Sequence, residues 1–319
     1  MISITGLQTR SVIIINKGET DMQKNSRNRI YLILGIGVTV ISTSGILIKL
    51  STAPPLIIAF YRMLISCLLL TPFILIKYRK QLKGFLDIRT AIVGFFLAVH
   101  FYLWISAFEY TSVANAVIFI ALQPLFTYIL EYFFAKDDLH PGIMTGIFMA
   151  VLGSIIISIG DINSLFSQIW GDLLAVAGAF FAAAYLFTGR RLREKMGYVP
   201  YLYIIYTYAC LFLGIFSLIT GQPFTGFDNY NYLYFIGLAL GPTLIGHSAL
   251  NYSVRILPAT IVSLTILFEP VITTIFAWFI LGEGITLMTF LGGLIILFGI
   301  YKAVRKKGTK KNQLAEQST

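Results

Sequence analysis

The chain has 319 residues, 57% of them hydrophobic and only 12% charged, with a net charge of +10 and a mean hydropathy of +0.81. That is more apolar surface than a soluble domain of this length can bury, so the composition excludes a soluble globular protein and specifies an integral membrane protein. The positive charge does not read as a nucleic-acid surface, because the basic residues gather in short connections between apolar runs and at both ends of the chain.

Residues 1–29 form a polar N-terminal segment whose apolar run Val12 to Ile15 is too short for a signal core, and either Met1 or Met22 serves as the start. The apolar runs that follow approach twenty residues rather than the short alternating segments of a barrel, so the spans are helices. They fall at about 30–50, 55–77, 89–109, 111–134, 140–160, 169–189, 199–220, 230–253, 257–281 and 285–304. Ten helices joined by short connections alternate in direction. That alternation puts the N-terminal segment, the basic loop from Lys77 to Arg89, Lys136, the loop from Arg190 to Lys195, Arg255 and the tail on one side, with only Lys49 on the other. The bias predicts both termini in the cytoplasm and an inner-membrane location, with room for anionic lipid at the basic loops. Residues 305–319 make a basic, solvated tail. Cys67 and Cys210 both lie inside apolar spans and offer neither a disulfide framework nor metal spacing.

The ninth span, LPATIVSLTILFEPVITTIFAWFILGE (257–283), carries an acid and a helix breaker, Glu269-Pro270, near its middle. A carboxylate at that depth costs roughly 2.5–3.5 kcal/mol on insertion scales and must face protein or a wet cavity. The span at 111–137, 146 positions earlier, places Gln123-Pro124 at the matching point and repeats Thr273 as Thr127 and Phe279 as Phe133. The same offset aligns Pro54 with Pro200 and Gly146 with Gly292. The chain therefore reads as one five-helix unit used twice, residues 30–160 and 161–304. An odd number of crossings inserts the second copy upside down. The expected fold is an all-α membrane protein of ten transmembrane helices in two inverted five-helix repeats, an architecture shared by many secondary transporters.

The segments PPLIIAFYR (54–62), TSVANAVIFIALQPLFTYILEYFF (111–134), NYSVRILPATIVSLTILFEPVITTIFAWFILGE (251–283) and LGGLIILFG (291–299) resemble the EamA-type ten-helix proteins of the drug/metabolite transporter superfamily. The resemblance implies export or exchange of a small metabolite, amino acid or drug-like solute by alternating access, and no particular substrate. Gln123 departs from the acid of the second copy, so only one repeat supplies a central carboxylate.

Glu269 is the first candidate for a substrate cation or a coupling proton, against a neutral, hydrogen-bonded structural acid. His247 and Asn251 share one side of the eighth span by their i, i+4 spacing, and His100 and Trp104 repeat that spacing on the third, which suggests opposite walls of one cavity. Interhelical hydrogen bonding is the plainer reading. Gln123 and Asn115 are candidates for the same pathway. Arg62 is expected to reach Glu109 as a structural pair by snorkelling, with an anionic substrate group as the alternative. Pro124 and Pro270 set bends. Gly142 and Gly146 serve close packing within the chain or a homodimer face. Trp170 and Trp278 read as interfacial anchors. No Walker motif, metal-ligand grouping or nucleophile–base set stands in the sequence, so neither enzyme activity nor a cofactor is expected.

Overall fold

The computed structural model describes residues 28–135, 141–159, 165–282 and 287–305. The N-terminal segment with Met22, Lys136, the tail, and Asp137 and Glu283, which stand at the same 146-residue offset, lie outside the described residues, as does the side chain of Asn115. The described residues are helical apart from turns, and eight helices are long and apolar enough to cross a membrane. Helices suit that solvent because each backbone N–H and C=O is satisfied within the segment.

In chain order the helices are α1 (Asn28–Leu50), α2 (Pro55–Leu82), α3 (Ile88–Ala107), α4 (Val113–Ile120 and Gln123–Leu130), α5 (Pro141–Ile159), α6 (Leu165–Arg193), α7 (Tyr198–Ile219), α8 (Asn229–Ser253), α9 (Ala259–Leu281) and α10 (Leu287–Arg305). α6 runs about a turn beyond the expected span at each end. Large apolar side chains such as Ile76, Leu218 and Phe279 point outward, whereas many Ser and Thr and the charged Arg62, Glu131, Arg193 and Glu269 are buried. This inversion of the soluble pattern follows from a lipid surround.

The ends are tied by polar contacts that fix the direction of the helices. At one end Lys49 Nζ donates to Phe108 O, Asn231 bonds Ser51 and Thr52, and Thr111 donates to Asp172. At the other, Arg190, Arg191 and Arg193 of α6 meet Glu131, Phe134 and Asn251. The latter is the basic end, the former the far end. Asp87, just before α3 at the basic end, accepts from the Arg89 side chain and backbone, which holds its carboxyl below the usual range.

α3 packs on α6 and α7, α2 on α7 and the middle of α8, α4 on α6 and α9, and α5 along α10. Small residues let these helices approach. A Cβ on Gly153 of α5 would lie 2.5 Å from Gly292 O of α10, and one on Gly94 of α3 would lie 2.4 Å from Tyr208 Cβ of α7.

Among the described residues α1 breaks at a turn at 42–43, and α4, α8 and α9 are interrupted around prolines. α4 stops at Ile120 and resumes at Gln123-Pro124, while α9 passes through a 3-10 turn, Thr265–Phe268, and resumes at Glu269-Pro270. Each proline occupies the first turn of the resumed helix, where a missing N–H leaves no hydrogen bond unmade. α8 widens into a π-helical stretch, Ala239–His247, around Pro242, because a proline inside a helix cannot donate and crowds the preceding turn.

Gly94→Ala is expected to destabilise by about 1–3 kcal/mol, since the added methyl meets a Cβ and the Ile205 carbonyl rather than a flexible tip. Gly35→Ala, open on all sides, is expected to be neutral or slightly stabilising. Melting temperatures of the two variants in detergent check the contrast.

Candidate functional site

The widened middle of α8 packs on α2, and buried polar and aromatic side chains of α2, α3 and α8 gather there, with Glu269 of α9 within electrostatic reach. Arg62 of α2, only 1% exposed, lays its guanidinium over the Phe101 ring at 3.9 Å from the centroid. Its Nε donates to Thr243 Oγ1 at 3.1 Å, and Thr243 in turn donates to Leu238 O. The widened turn of α8 thus holds the arginine. Arg62 Nη1 has no hydrogen-bond partner. Glu269 is 3% exposed, its Oε1 is likewise unpartnered, and it lies within electrostatic reach of Arg62 without a direct ion pair. A guanidinium and a carboxyl group in an apolar bundle, each with a buried polar atom left unpartnered, are a costly arrangement for mere packing.

Aromatic rings complete the cluster. His100 stacks on Trp104 with centroids 6.0 Å apart, and its Nδ1 lies 3.0 Å from Gly178 O, so that nitrogen carries the proton. The His100 ring stands 6.1 Å from His247, which meets Phe101 edge-on at 5.1 Å. Trp104 Nε1 and His247 Nδ1 are both buried without partners. Toward the far end, Phe108 packs edge-on against Trp104 and also lines an open crevice of about 390 Å³ with Lys49, Ser51, Thr52 and Glu109.

The sequence expectations meet this geometry unevenly. His100, Trp104 and His247 come together in one ring cluster, and Glu269 and His247 each lie within electrostatic reach of Arg62. Asn251 does not join them with its side chain: its amide donates to Tyr185 Oη and to His247 O, and its own carbonyl accepts from Arg193, a network at the basic end. Gln123 and Pro124 are buried where α4 resumes, and Pro270 where α9 resumes. The expected Arg62–Glu109 pair is corrected. Glu109 is exposed at the far-end crevice, while Arg62 turns inward to Thr243 and Phe101, because the widened α8 offers an acceptor nearer than the interface. Phe101, Thr243 and Tyr206, whose hydroxyl donates to Thr243 O, were not legible as site residues. Being uncharged, they do not stand out in an aromatic and hydroxyl-rich membrane sequence. No group of His, Cys, Asp and Glu able to hold a metal occurs among the described residues.

An apolar helical bundle that buries such polar groups is built as a multi-pass membrane protein. The chain belongs to the EamA-like transporter family, whose model matches residues 28–159 and again 169–305. It is similar to an "uncharacterized transporter" of Archaeoglobus fulgidus, 24% identical over 88% of this chain and 99% of that one. It is also similar to the "uncharacterized transporter YdfC" of Bacillus subtilis, 26% identical over 84% of this chain and 87% of that one. A solved crystal structure superposes with a TM-score of 0.72 over 87% of this chain and 96% of that one, at 16% identity. That last likeness speaks for the fold alone.

Arg62→Gln and Glu269→Gln are each expected to lower the melting temperature, and the double variant to lose less than their sum. A double-mutant cycle in detergent should give a coupling of about 0.5–3 kcal/mol. Strictly additive losses would show that the two groups do not sense one another.

Proposed function

We propose that this protein is a secondary carrier that moves a small solute bearing both a cationic and an anionic group, by alternating access about a chamber between Arg62 and Glu269. One observation carries the reading: a guanidinium nitrogen of Arg62 and a carboxyl oxygen of Glu269 are both buried without hydrogen-bond partners, and the two groups lie within electrostatic reach of each other. A solute with both charges satisfies them at once, while Trp104, Phe101 and the two histidines offer faces to an apolar or flat body. Glu269 also has the place of a group that exchanges a proton for the solute's cation. Exchange or proton coupling would then drive transport, in export or in either direction.

The architecture proposed for this motion is ten transmembrane helices in two inverted repeats, residues 30–160 and 161–304. The pairing of helices supports it. Under an inverted repeat α2 matches α7, α4 matches α9 and α5 matches α10, and each of these pairs packs together. The contacts of α3 with α6 are answered by those of α8 with α1, where a Cβ on Gly37 would meet Ala249. The matching interruptions of α4 and α9, and two separate matches to one family model, support the same reading. The basic end is proposed to face the cytoplasm, with both termini there, in the inner membrane. A channel would ask for a continuous polar file, whereas the polar groups here form an island between apolar layers.

Counterflow into proteoliposomes with matched probes tests the proposal: phenylalanine, phenethylamine and phenylacetate, and in parallel alanine, ethylamine and propionate. Within a set the amphoteric member should exchange fastest. Glu269→Gln and Arg62→Gln should each slow it about tenfold to a hundredfold, the scale of a lost charged hydrogen bond. Equal exchange of the singly charged probes, or native rates in both variants, would contradict it.

A further inference from the structure

Glu131, at the basic end of α4, is a fully buried carboxylate outside the chamber. Its Oε1 accepts from Ala259 N at 2.7 Å and from Arg190 Nη1 at 3.2 Å. Its Oε2 accepts from Thr260 N at 3.1 Å and from the Thr260 hydroxyl. The first amides of a helix have no partner within it, and Pro258, which precedes α9, makes no side-chain cap. An acid from another helix fills that role, and one side chain thereby ties α4, α6 and α9 together.

We infer that Glu131 is the latch that holds the basic mouth of the carrier closed, and that releasing it frees the short inner piece of α9 to swing away from the path to Glu269. This rests on the alternating-access reading above. The piece held is Ala259–Leu264, and the 3-10 turn Thr265–Phe268 separates it from the half that begins at Glu269. A joint there lets the mouth open while the outer half stays docked on α1 through Thr273 Oγ1 and Ser42 O, 3.0 Å apart. A mere helix cap needs no charge and no third helix. Here the carboxylate also faces Arg190, a quarter exposed, at the water-facing rim. Water entering at Arg190 can therefore rehydrate the carboxylate as the bonds to α9 part. The inverted counterpart of position 131 is Ala277, which has no acceptor to offer. The latch therefore exists at one mouth only, and it biases the resting carrier toward closure at the basic end.

The test reads sidedness rather than transport, so its failure is distinct from failure of the substrate reading. In a Cys67→Ala, Cys210→Ala background, Ser263→Cys, buried one turn inward from Thr260, is labelled with a membrane-impermeant maleimide in right-side-out and inverted vesicles. A separate Glu194→Cys protein, exposed at the basic end, identifies which face is being read. Glu131→Gln and Thr260→Val should each raise labelling of the reporter at least fivefold from the face that labels position 194, and Glu131→Asp should raise it less. Unchanged labelling in monodisperse variants, or an equal rise from both faces, would overturn the latch. If Glu131→Gln does not fold, Thr260→Val, which keeps the carboxylate and both backbone bonds, decides the matter by the same criterion.

Discussion

The structure depends on burying an arginine and an acid, Arg62 and Glu269, inside an apolar bundle without a direct ion pair between them. Each costs on the order of 2.5–3.5 kcal/mol to place at membrane depth by insertion scales. A direct ion pair would recover more of that cost than the arrangement seen. Instead the guanidinium is held by Thr243 and Phe101, and the carboxylate keeps an oxygen open. The separation is maintained by backbone: Pro242 widens α8 so that Thr243 faces Arg62, and the turn before Pro270 sets Glu269. Helix-breaking residues that would weaken a soluble core are tolerated because neighbouring helices and hydroxyls satisfy the freed groups.

The two ends of the molecule are closed by different means. At the far end, Phe108 against Trp104 and the bonds among Lys49, Ser51, Thr52 and Asn231 are neutral or single contacts around an open crevice. At the basic end, buried Arg193 binds Asn251 O and Met196 O beneath Tyr198 and Tyr201, and Glu131 joins three helices. Such a difference between the two ends is what gives one closed state an energetic preference over the other.

Much of this was legible in the sequence, and the limits have physical causes. Helix positions followed from hydropathy because lipid leaves few alternatives, and the paired breaks followed from Gln123-Pro124 and Glu269-Pro270 at one offset. Glu269, His100, Trp104 and His247 stood out as polar or amphipathic groups at depth. Arg62 was visible but misdirected, since its distance from Pro55 favoured the interface and the widened turn of α8 that captures it has no signature beyond Pro242. Asn251 had the right spacing and the wrong use, because one Tyr185 hydroxyl across the bundle takes its amide. Glu131 was silent, because an acid near a helix end reads as interfacial, and only the fold brings the bare N-terminus of α9 to it.

The central claim is that a solute enters between these two buried groups, Arg62 and Glu269. An experimentally determined map of the protein with phenylalanine bound tests it most directly. The account predicts ligand density bridging Arg62 Nη1 and Glu269 Oε1, with the ring against Trp104 or Phe101. Density confined to the far-end crevice, with Arg62 and Glu269 untouched, would contradict it.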